Sequence, residues 1–409
     1  MWNYGSLPGD WTVKKIGEYA SIITDYVANG SFASLAQNVK YKSTPDYAVL
    51  IRLTDNNNGF NGNFVYIDKH AYEFLAKSKL FGGEIIISNV GANVGTVFRC
   101  PFLDTNMSLA PNAIMLKTQG NDNFYYYWFL SRNGQHSLKS IVTGSAQPKF
   151  NKTNFRDLLV PVPPRAVQNK IADYLSNIDK KIELNKQINE NLAQQAQAIF
   201  VNMFAHNENV IPTTIADVAL NVTDGVHNTV HDDPEGEYLL LSCKNIKGGS
   251  LSIGSSERRI SFDTFEKLRR RTKLSKGDVL ISSVGTVGEL FLLNEEPSHF
   301  EFQRSVAMVK PNTDIVSPAY LYESLVFKRS ELINAAHGAV QQCLFISDIA
   351  GFPVGIPQPD ELHDFDTTVM PMFDIISTNE AENQRLAEMR DTLLPKLMNG
   401  ELDVSKLDL

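Results

Sequence analysis

Residues 171–203 read IADYLSNIDKKIELNKQINENLAQQAQAIFVNM, and their seam positions recur alternately every four and every three residues. This spacing is the heptad pattern of a helix with one narrow apolar seam. The pattern returns 194 residues later in 365–397, FDTTVMPMFDIISTNEAENQRLAEMRDTLLPKL. It predicts two long helices that bury their seams on each other. The seam positions are Ile171, Leu175, Ile178, Ile182, Asn185, Asn189, Leu192, Ala196, Ile199 and Met203, then Phe365, Val369, Met372, Ile376, Asn379, Asn383, Leu386, Arg390, Leu393 and Leu397.

Two asparagines stand in the middle of each seam and predict the register of the pair. A buried asparagine costs stability unless it meets another polar group, so asparagine should face asparagine. An antiparallel pairing sets Asn185 opposite Asn383 and Asn189 opposite Asn379. A parallel pairing also matches asparagine with asparagine, so the pattern leaves the direction open. Two ordinary amphipathic helices, each packed on its own domain, would also account for the spacing.

The segments that precede the two helices also repeat each other. KLFGGEIIIS at 79–88 matches KLSKGDVLIS at 273–282, in each case a turn that leads into an apolar strand. Glycine turns follow at 91–95 and 285–288, and they predict hairpins because no GxxxxGKS/T phosphate loop is present. The fold class is therefore α+β, two similar α/β domains alternating with two long helices. The predicted boundaries are 1–164 for the first domain, 165–206 for the first helix, 207–359 for the second domain, and 360–409 for the second helix and C-terminal tail.

Composition limits the class of protein. The three cysteines, Cys100, Cys243 and Cys343, are far apart and form no CxxC pair, which argues against disulfides and a zinc site. The sequence also lacks a signal peptide and any apolar run long enough to span a bilayer. Together with the cysteine pattern, these features predict a cytoplasmic protein without a membrane segment. The net charge of −8 argues against nucleic acid as a partner of the whole surface. Any DNA-binding face must be local.

The sequence carries no recognisable catalytic motif. It lacks the (D/N)PP(Y/F) and glycine motifs of adenine methyltransferases, a Walker lysine, and an Asp…Glu-x-Lys nuclease pattern. Its histidines do not take HExxH or paired-ligand spacing. We expect no catalytic residue, no metal and no cofactor in the chain itself.

Several motifs are similar to those of the specificity subunits of type I restriction-modification systems. They are LPGDW at 7–11, the two strand-leading segments quoted above, GSAQP at 144–148, and the pair Pro163-Pro164 followed by Gln168. The resemblance covers nearly the whole chain. Family members often carry a Glu-Gln pair before the long helix, and here each repeat keeps one half of it, Gln168 in the first and Glu361 in the second.

The resemblance implies an architecture and a set of partners. The two domains would be target-recognition domains, and the two helices would pair as an antiparallel coiled coil. The chain would be non-catalytic and would bind double-stranded DNA, two modification (methyltransferase) subunits and two restriction (endonuclease) subunits. S-adenosylmethionine, Mg²⁺ and ATP would bind to those partners. About 33 residues of helix make a rod of roughly 50 Å, which would hold two readers on one duplex. The site would be bipartite and asymmetric because the two domains differ.

Candidate DNA contacts follow from the chemistry of base edges. Arginine suits guanine and asparagine suits adenine, while any arginine or lysine can grip phosphate. The second domain holds the densest basic cluster, and its Lys244 and Asn245 end a predicted strand. The first domain holds a predicted Asn-rich loop, 56–62, after a strand. A solvated helix face and ordinary turn chemistry would explain the same residues. The candidates are Arg52, Asn56, Asn57 and Asn58 in the first domain, and His227, Lys244, Asn245, Arg258, Arg259, Arg269, Arg270 and Arg271 in the second.

Two other functions are compatible with parts of the sequence. The acidic balance favours a pseudo-dimeric coiled-coil scaffold that binds proteins, and a fused methyltransferase would require the motifs that are missing. Binding to duplex DNA that weakens steeply with salt would separate a DNA reader from a scaffold.

Overall fold

The computed structural model describes residues 7–254, 256–338, 342–402 and 404. The described residues form two compact units. One is drawn from 1–182 and 384–409, and the other from 183–383. The division falls within the two long helices, so each unit contains a globular part and a segment of both helices.

The globular part of the first unit contains two four-stranded sheets and a short antiparallel pair of strands, β1-β10. The central sheet has the strand order β2-β9-β6-β7 with antiparallel neighbours. The second sheet has the order β4-β3-β8-β5, and β3 runs parallel to β8. The strands are β1 Thr12–Lys15, β2 Ala20–Asp25, β3 Ala48–Ile51, β4 Val65–Ile67, β5 Lys79–Leu80, β6 Ile85–Ser88, β7 Val97–Arg99, β8 Asn106–Leu109, β9 Ala113–Thr118 and β10 Leu159–Val162. The helices are α1 Ile16–Tyr19, α2 Phe32–Asn38, α3 Leu53–Asn57, α4 Lys69–Phe74, α5 Asp122–Leu130, α6 Arg132–Ser140 and α7 Lys152–Arg156.

The long helices are α8, Arg165–Phe204, and α14, Pro359–Met398. In the second unit, Asn185 Nδ2 donates to Asn383 Oδ1 at 3.0 Å, and Asn379 Nδ2 donates to Asn189 Oδ1 at 2.7 Å. Residue numbers therefore rise along one helix as they fall along the other, so the pairing is antiparallel and has the predicted asparagine register. Each such hydrogen bond contributes about 1 kcal/mol, and an unpaired buried amide would cost more.

The globular part of the second unit repeats the first. Its central sheet, β12-β20-β17-β18, places the equivalent strands in the same order, and β13 runs parallel to β19 as β3 does to β8. The predicted internal repeat is confirmed at the level of strand order. The strands are β11 Ile211–Thr214, β12 Ala219–Asp224, β13 Tyr238–Leu241, β14 Ile246–Lys247, β15 Ser250–Leu251, β16 Arg258–Ile260, β17 Val279–Ser282, β18 Leu290–Leu292, β19 Phe300–Phe302, β20 Val306–Pro311 and β21 Pro353–Ile356. The helices are α9 Ile215–Val218, α10 Phe262–Thr272, α11 Pro318–Phe327, α12 Arg329–Asn334 and α13 Ile346–Ala350.

In each unit one aromatic helix joins the central sheet to the long helices. Trp128 of α5 is fully buried in one cluster with Ile87 of β6 and Leu175 of α8. Tyr320 of α11 is buried with Ile281 of β17 and with the α8 and α14 segments of the second unit. Full burial of one such large side chain is worth about 2 to 3 kcal/mol, so α5 and α11 fix each sheet on its helix segments.

Two local predictions need correction. The Asn-rich stretch 56–62 was expected as a loop, but it begins inside α3, because the Asp55 carboxylate accepts from Arg52 N and closes the first turn. Lys244 and Asn245 were expected at the end of a strand. They lie in a separate 3-10 turn, Cys243–Asn245, after β13 has ended. No helix in the described part of the chain is both long enough and apolar enough to cross a bilayer.

Candidate nucleic-acid interface

One edge of the central sheet in the second unit gathers polar residues from three segments. β12 and β17 both run antiparallel to β20, so the end of β12, the end of β17 and the start of β20 meet there. A cleft of about 370 Å³ opens at this edge. It is lined by Val226, His227, Asn228, Thr229, Val230, Arg258, Gln303 and Arg304.

Asp224, the last residue of β12, orients two of the predicted DNA contacts. Its Oδ2 lies 2.6 Å from His227 Nε2, and its Oδ1 lies 3.1 Å from Arg271 Nη2. Both side chains remain partly exposed. One carboxylate therefore holds the imidazole and the guanidinium at the same edge of the sheet, and it offsets part of the positive charge of Arg271.

Arg258 and Arg259 are neighbours on β16 and hold the loop that follows β12. The Arg258 guanidinium donates from Nε to Asp232 and from Nη2 to the Val230 carbonyl, both at 2.7 Å. Arg259 donates from Nη1 to the Gly236 carbonyl at 3.0 Å. Arg258 thus shapes one wall of the cleft, and two of its five N–H donors are used within the protein.

The basic cluster on α10 divides into an inner and an outer part. Arg269 forms an ion pair with the buried Glu301 and donates to the Phe300 carbonyl at 2.8 Å, and its side chain is 22% exposed. Burial raises the pKa of the Glu301 carboxyl. Arg270 is 81% exposed and lies 3.6 Å from Glu266 one turn earlier. The Arg269 guanidinium is therefore engaged within the fold, whereas the Arg270 side chain is accessible.

Lys244 and Asn245 differ in the same way. Lys244 is exposed, and its Nζ lies 2.9 Å from Glu257. Asn245 is 1% exposed; its Oδ1 accepts from Ser242 N at 2.9 Å, and its Nδ2 donates to the Ser252 carbonyl at 2.8 Å. The Asn245 amide closes the 3-10 turn, and its burial does not fit a role in reading bases.

The candidates of the first unit lie around α3. Arg52 Nη2 pairs with the buried Asp55 at 2.5 Å and also donates to the Asn63 carbonyl at 2.9 Å. The hydrogen bond to Asp55 raises the pKa of Arg52. Asn56 is half-buried, whereas Asn57 and Asn58 are exposed at the end of the helix. The Arg52 guanidinium therefore stabilises the local fold through Asp55 and Asn63, and the exposed Asn57 and Asn58 are accessible to a partner.

The equivalent sheet edge of the first unit has a different chemistry. Asp25 ends β2 as Asp224 ends β12, but its Oδ1 accepts from Lys152 Nζ at 2.8 Å and from Ala28 N at 2.9 Å. Ala110 and Pro111 stand before β9, where Gln303 and Arg304 stand before β20. The same framework therefore presents different side chains in the two units.

Gln303 and Arg304 are absent from the residues predicted by sequence. Arg304 lies outside the basic cluster in the sequence, so local charge density does not identify it as a candidate. A comparison of the two repeats could have identified it, because QRS at 303–305 and APN at 110–112 precede equivalent strands and differ completely. In the described residues, no group of three or more His, Cys, Asp or Glu side chains could hold a metal ion.

Comparisons with known proteins agree with this architecture. The model of the type I restriction modification DNA specificity domain matches residues 8–194. The chain is 25% identical to the specificity subunit of the type I restriction enzyme MjaIX of Methanocaldococcus jannaschii, over 98% of this chain and 96% of that protein. It is 24% identical to the EcoBI specificity subunit of Escherichia coli, over 69% of this chain and 66% of that protein.

A solved structure shares the fold. The crystal structure of a type I restriction-modification system S subunit from M. genitalium aligns with a TM-score of 0.57 at 14% identity, covering 97% of this chain and 98% of that chain. Residues 8–194 are therefore similar to the type I restriction modification DNA specificity domain, and the chain over nearly its whole length is similar to a type I restriction enzyme specificity subunit.

Proposed function

We propose that this chain is the non-catalytic DNA sequence-specificity subunit of a type I restriction-modification complex. Each globular part reads one half of an asymmetric bipartite site. The observation that carries the proposal is a repeated sheet with different edges. The strand order β12-β20-β17-β18 repeats β2-β9-β6-β7. However, Gln303-Arg304 precede β20, whereas Ala110-Pro111 precede the equivalent strand β9. Two similar frameworks with unlike edges suit two unlike half-sites.

The charge at the second edge supports a grip on DNA. Arg271 and Arg304 are exposed at this edge, and Lys244 and Arg270 are exposed elsewhere in the same unit. Such side chains can bind phosphate oxygens while others read bases. The acidic balance of the whole chain is compatible with this because the basic residues are local.

The paired helices suit a spacer between the two half-sites. Each helix has 40 residues, which corresponds to about 60 Å at about 1.5 Å per residue. The asparagine pairs fix the register of the two helices, and we propose that a fixed register gives a fixed spacer length in the DNA site.

The same helices are proposed to dock the methyltransferase subunits. Leu184 and Ile188 lie one turn apart on α8 and are exposed, as is Ile375 on α14. Exposed apolar residues on a helix face favour a protein partner. Two modification subunits and two restriction subunits would supply the chemistry in the cytoplasm. S-adenosylmethionine, Mg²⁺ and ATP would bind to those subunits.

Single-molecule sequencing of the methylome tests the proposal. Cells that express the partner subunits are compared with and without this chain. We expect one bipartite adenine-methylated motif that disappears when the chain is deleted. An unchanged methylome, together with no salt-sensitive binding of duplex DNA by the assembled complex, would refute the proposal in favour of a protein scaffold.

A further inference from the structure

The backbone at Gln303 and Arg304 is held rigidly on both sides. Gln303 N donates to the Leu241 carbonyl at 2.8 Å, and Arg304 N donates to the Val226 carbonyl at 3.1 Å. Val226 N in turn donates to the Phe302 carbonyl at 3.1 Å. These two residues are therefore fixed between β13 and the loop after β12, so their side chains project from a defined position at the cleft.

Glycine at position 225 makes this close approach possible. A Cβ added there would lie 2.1 Å from the Phe302 carbonyl oxygen and 2.3 Å from that of Gln303. Any side chain would push the two segments apart and separate His227 from Gln303 and Arg304. The cleft therefore depends on Gly225 for its width.

The backbone of Gln303 and Arg304 is hydrogen-bonded, but their side chains have no hydrogen-bond partner among the described residues. Within the described ranges, no hydrogen-bond acceptor or carboxylate contacts the Arg304 guanidinium, which is exposed, and none contacts the half-buried Gln303 amide. The other arginines near this edge are engaged: Arg258 with Asp232, and Arg271 with Asp224. A rigid backbone that carries an unengaged guanidinium at a cleft is pre-organised for an external acceptor.

The chemistry of the cleft favours a base edge as that acceptor. A guanidinium can donate two parallel hydrogen bonds to O6 and N7 of guanine, which no other base offers in the major groove. His227 and Thr229 add polar groups to the same lining. We infer that Arg304 and Gln303 determine the half-site read by the second unit, an inference that rests on the proposed function. Arg304 selects a guanine, and Gln303 contacts the neighbouring base pair.

The first unit supplies an internal contrast. Ala110 and Pro111, at the equivalent position before β9, have no side-chain donor. Its half-site must therefore be read by other residues, and changes at Arg304 should leave that half-site untouched.

The test uses the full chain expressed with its modification subunits in a host that lacks other adenine methylation. The methylated motif is determined by single-molecule sequencing for wild type, Arg304→Ala, Arg304→Lys and Gln303→Ala. We expect Arg304→Ala and Arg304→Lys to relax one guanine in one half-site, with a loss of about 10- to 100-fold in discrimination. Gln303→Ala should relax the adjacent position. The other half-site and the spacer should not change.

Two controls separate reading from gripping. Arg270→Ala removes an exposed charge and should lower methylation evenly without altering the motif, and Pro111→Ala in the first unit should alter neither half-site. If Arg304→Ala abolishes methylation, the assembled complex is titrated with duplexes substituted at each position. Lost discrimination at a single guanine supports the inference, and an equal loss on all duplexes overturns it.

The outcomes distinguish the inference from the proposed function. A wild-type chain that directs no bipartite methylation refutes the proposed function. The inference alone is refuted if the wild-type chain directs bipartite methylation and the Arg304→Ala and Gln303→Ala variants retain the same motif in both halves.

Discussion

Glu323→Gln should stabilise the second unit at neutral and alkaline pH. Glu323 lies on α11 and is 2% exposed, and its Oε2 has no hydrogen-bond partner among the described residues. Burial raises the pKa of this carboxyl to about 8. The preceding residue, Tyr322, packs on Phe373 of α14 with ring centroids 5.7 Å apart. Ionising this carboxyl would therefore place a charge in a buried position on the helix that packs on α14.

The sign and size of the effect follow from linkage. Between the unfolded pKa of 4.5 and the folded pKa of about 8, the native state binds more protons than the unfolded state, so stability falls as pH rises through this window. The full difference corresponds to about 5 kcal/mol, and local relaxation around the charge reduces it to on the order of 3 kcal/mol. Glutamine keeps the shape of the side chain without the charge. For a unit of this size we expect Tm at pH 8 to rise by about 6 to 12 °C, with little change at pH 4.5.

Thermal unfolding of the full chain from pH 4.5 to 9, followed by circular dichroism, measures this. A residual slope should remain in the variant because burial also raises the pKa of Glu380 to about 7. Glu331→Gln on α12 is the matched control, since Glu331 is exposed and its removal should shift Tm little at any pH. Parallel pH curves for wild type and Glu323→Gln would refute the reasoning.

Two further predictions concern the helix pair and the basic cluster. Leu192→Cys combined with Ile376→Cys should form an intramolecular disulfide under mild oxidation, because both residues pack in one cluster of the antiparallel helix pair. Mass spectrometry would detect it as a crosslinked peptide pair. A crosslink found only between separate chains would contradict the register. Arg269→Ala should lower the free energy of unfolding by about 3 kcal/mol, since it leaves Glu301 buried without its partner, whereas Arg270→Ala should cost under about 0.5 kcal/mol and reduce the salt dependence of duplex binding by about one charge. Equal stabilities of the two arginine variants in chemical denaturation would show that the inner and outer residues are not distinct.

The helix pair was predictable from sequence because its determinants are local. A heptad pattern depends only on spacing within one helix, and the match of Asn185 with Asn383 depends on the cost of burying an unpaired amide. The strands at 85–88 and 279–282 were predictable for a similar reason, because each is a short apolar run after a glycine turn. The direction of the pair was open from the pattern alone. The contacts within the second unit establish it.

The site was less predictable because its determinants are distant in sequence. Charge density on α10 did not reveal that Arg269 is neutralised by Glu301, which is 32 residues away, or that Arg271 meets Asp224 at a separation of 47. The sequence makes Asn245 a candidate DNA contact at the end of a predicted strand, but in the structure its amide closes a turn. Arg304 has no ion-pair partner among the described residues because the fold of the whole sheet brings no carboxylate to it.

The position of these differences explains how one framework can serve two specificities. β20 buries Ala307 and Val309 in the core of its sheet, while Arg304, just before the strand, is exposed. Substitutions at buried strand positions cost several kcal/mol, but exposed positions at a strand end cost little. Asp25 and Asp224 show the result, since equivalent aspartates hold Lys152 in one unit and His227 with Arg271 in the other. The edge can therefore change its chemistry while the strands beneath it keep their order, and base preference in each half-site can vary without loss of the fold.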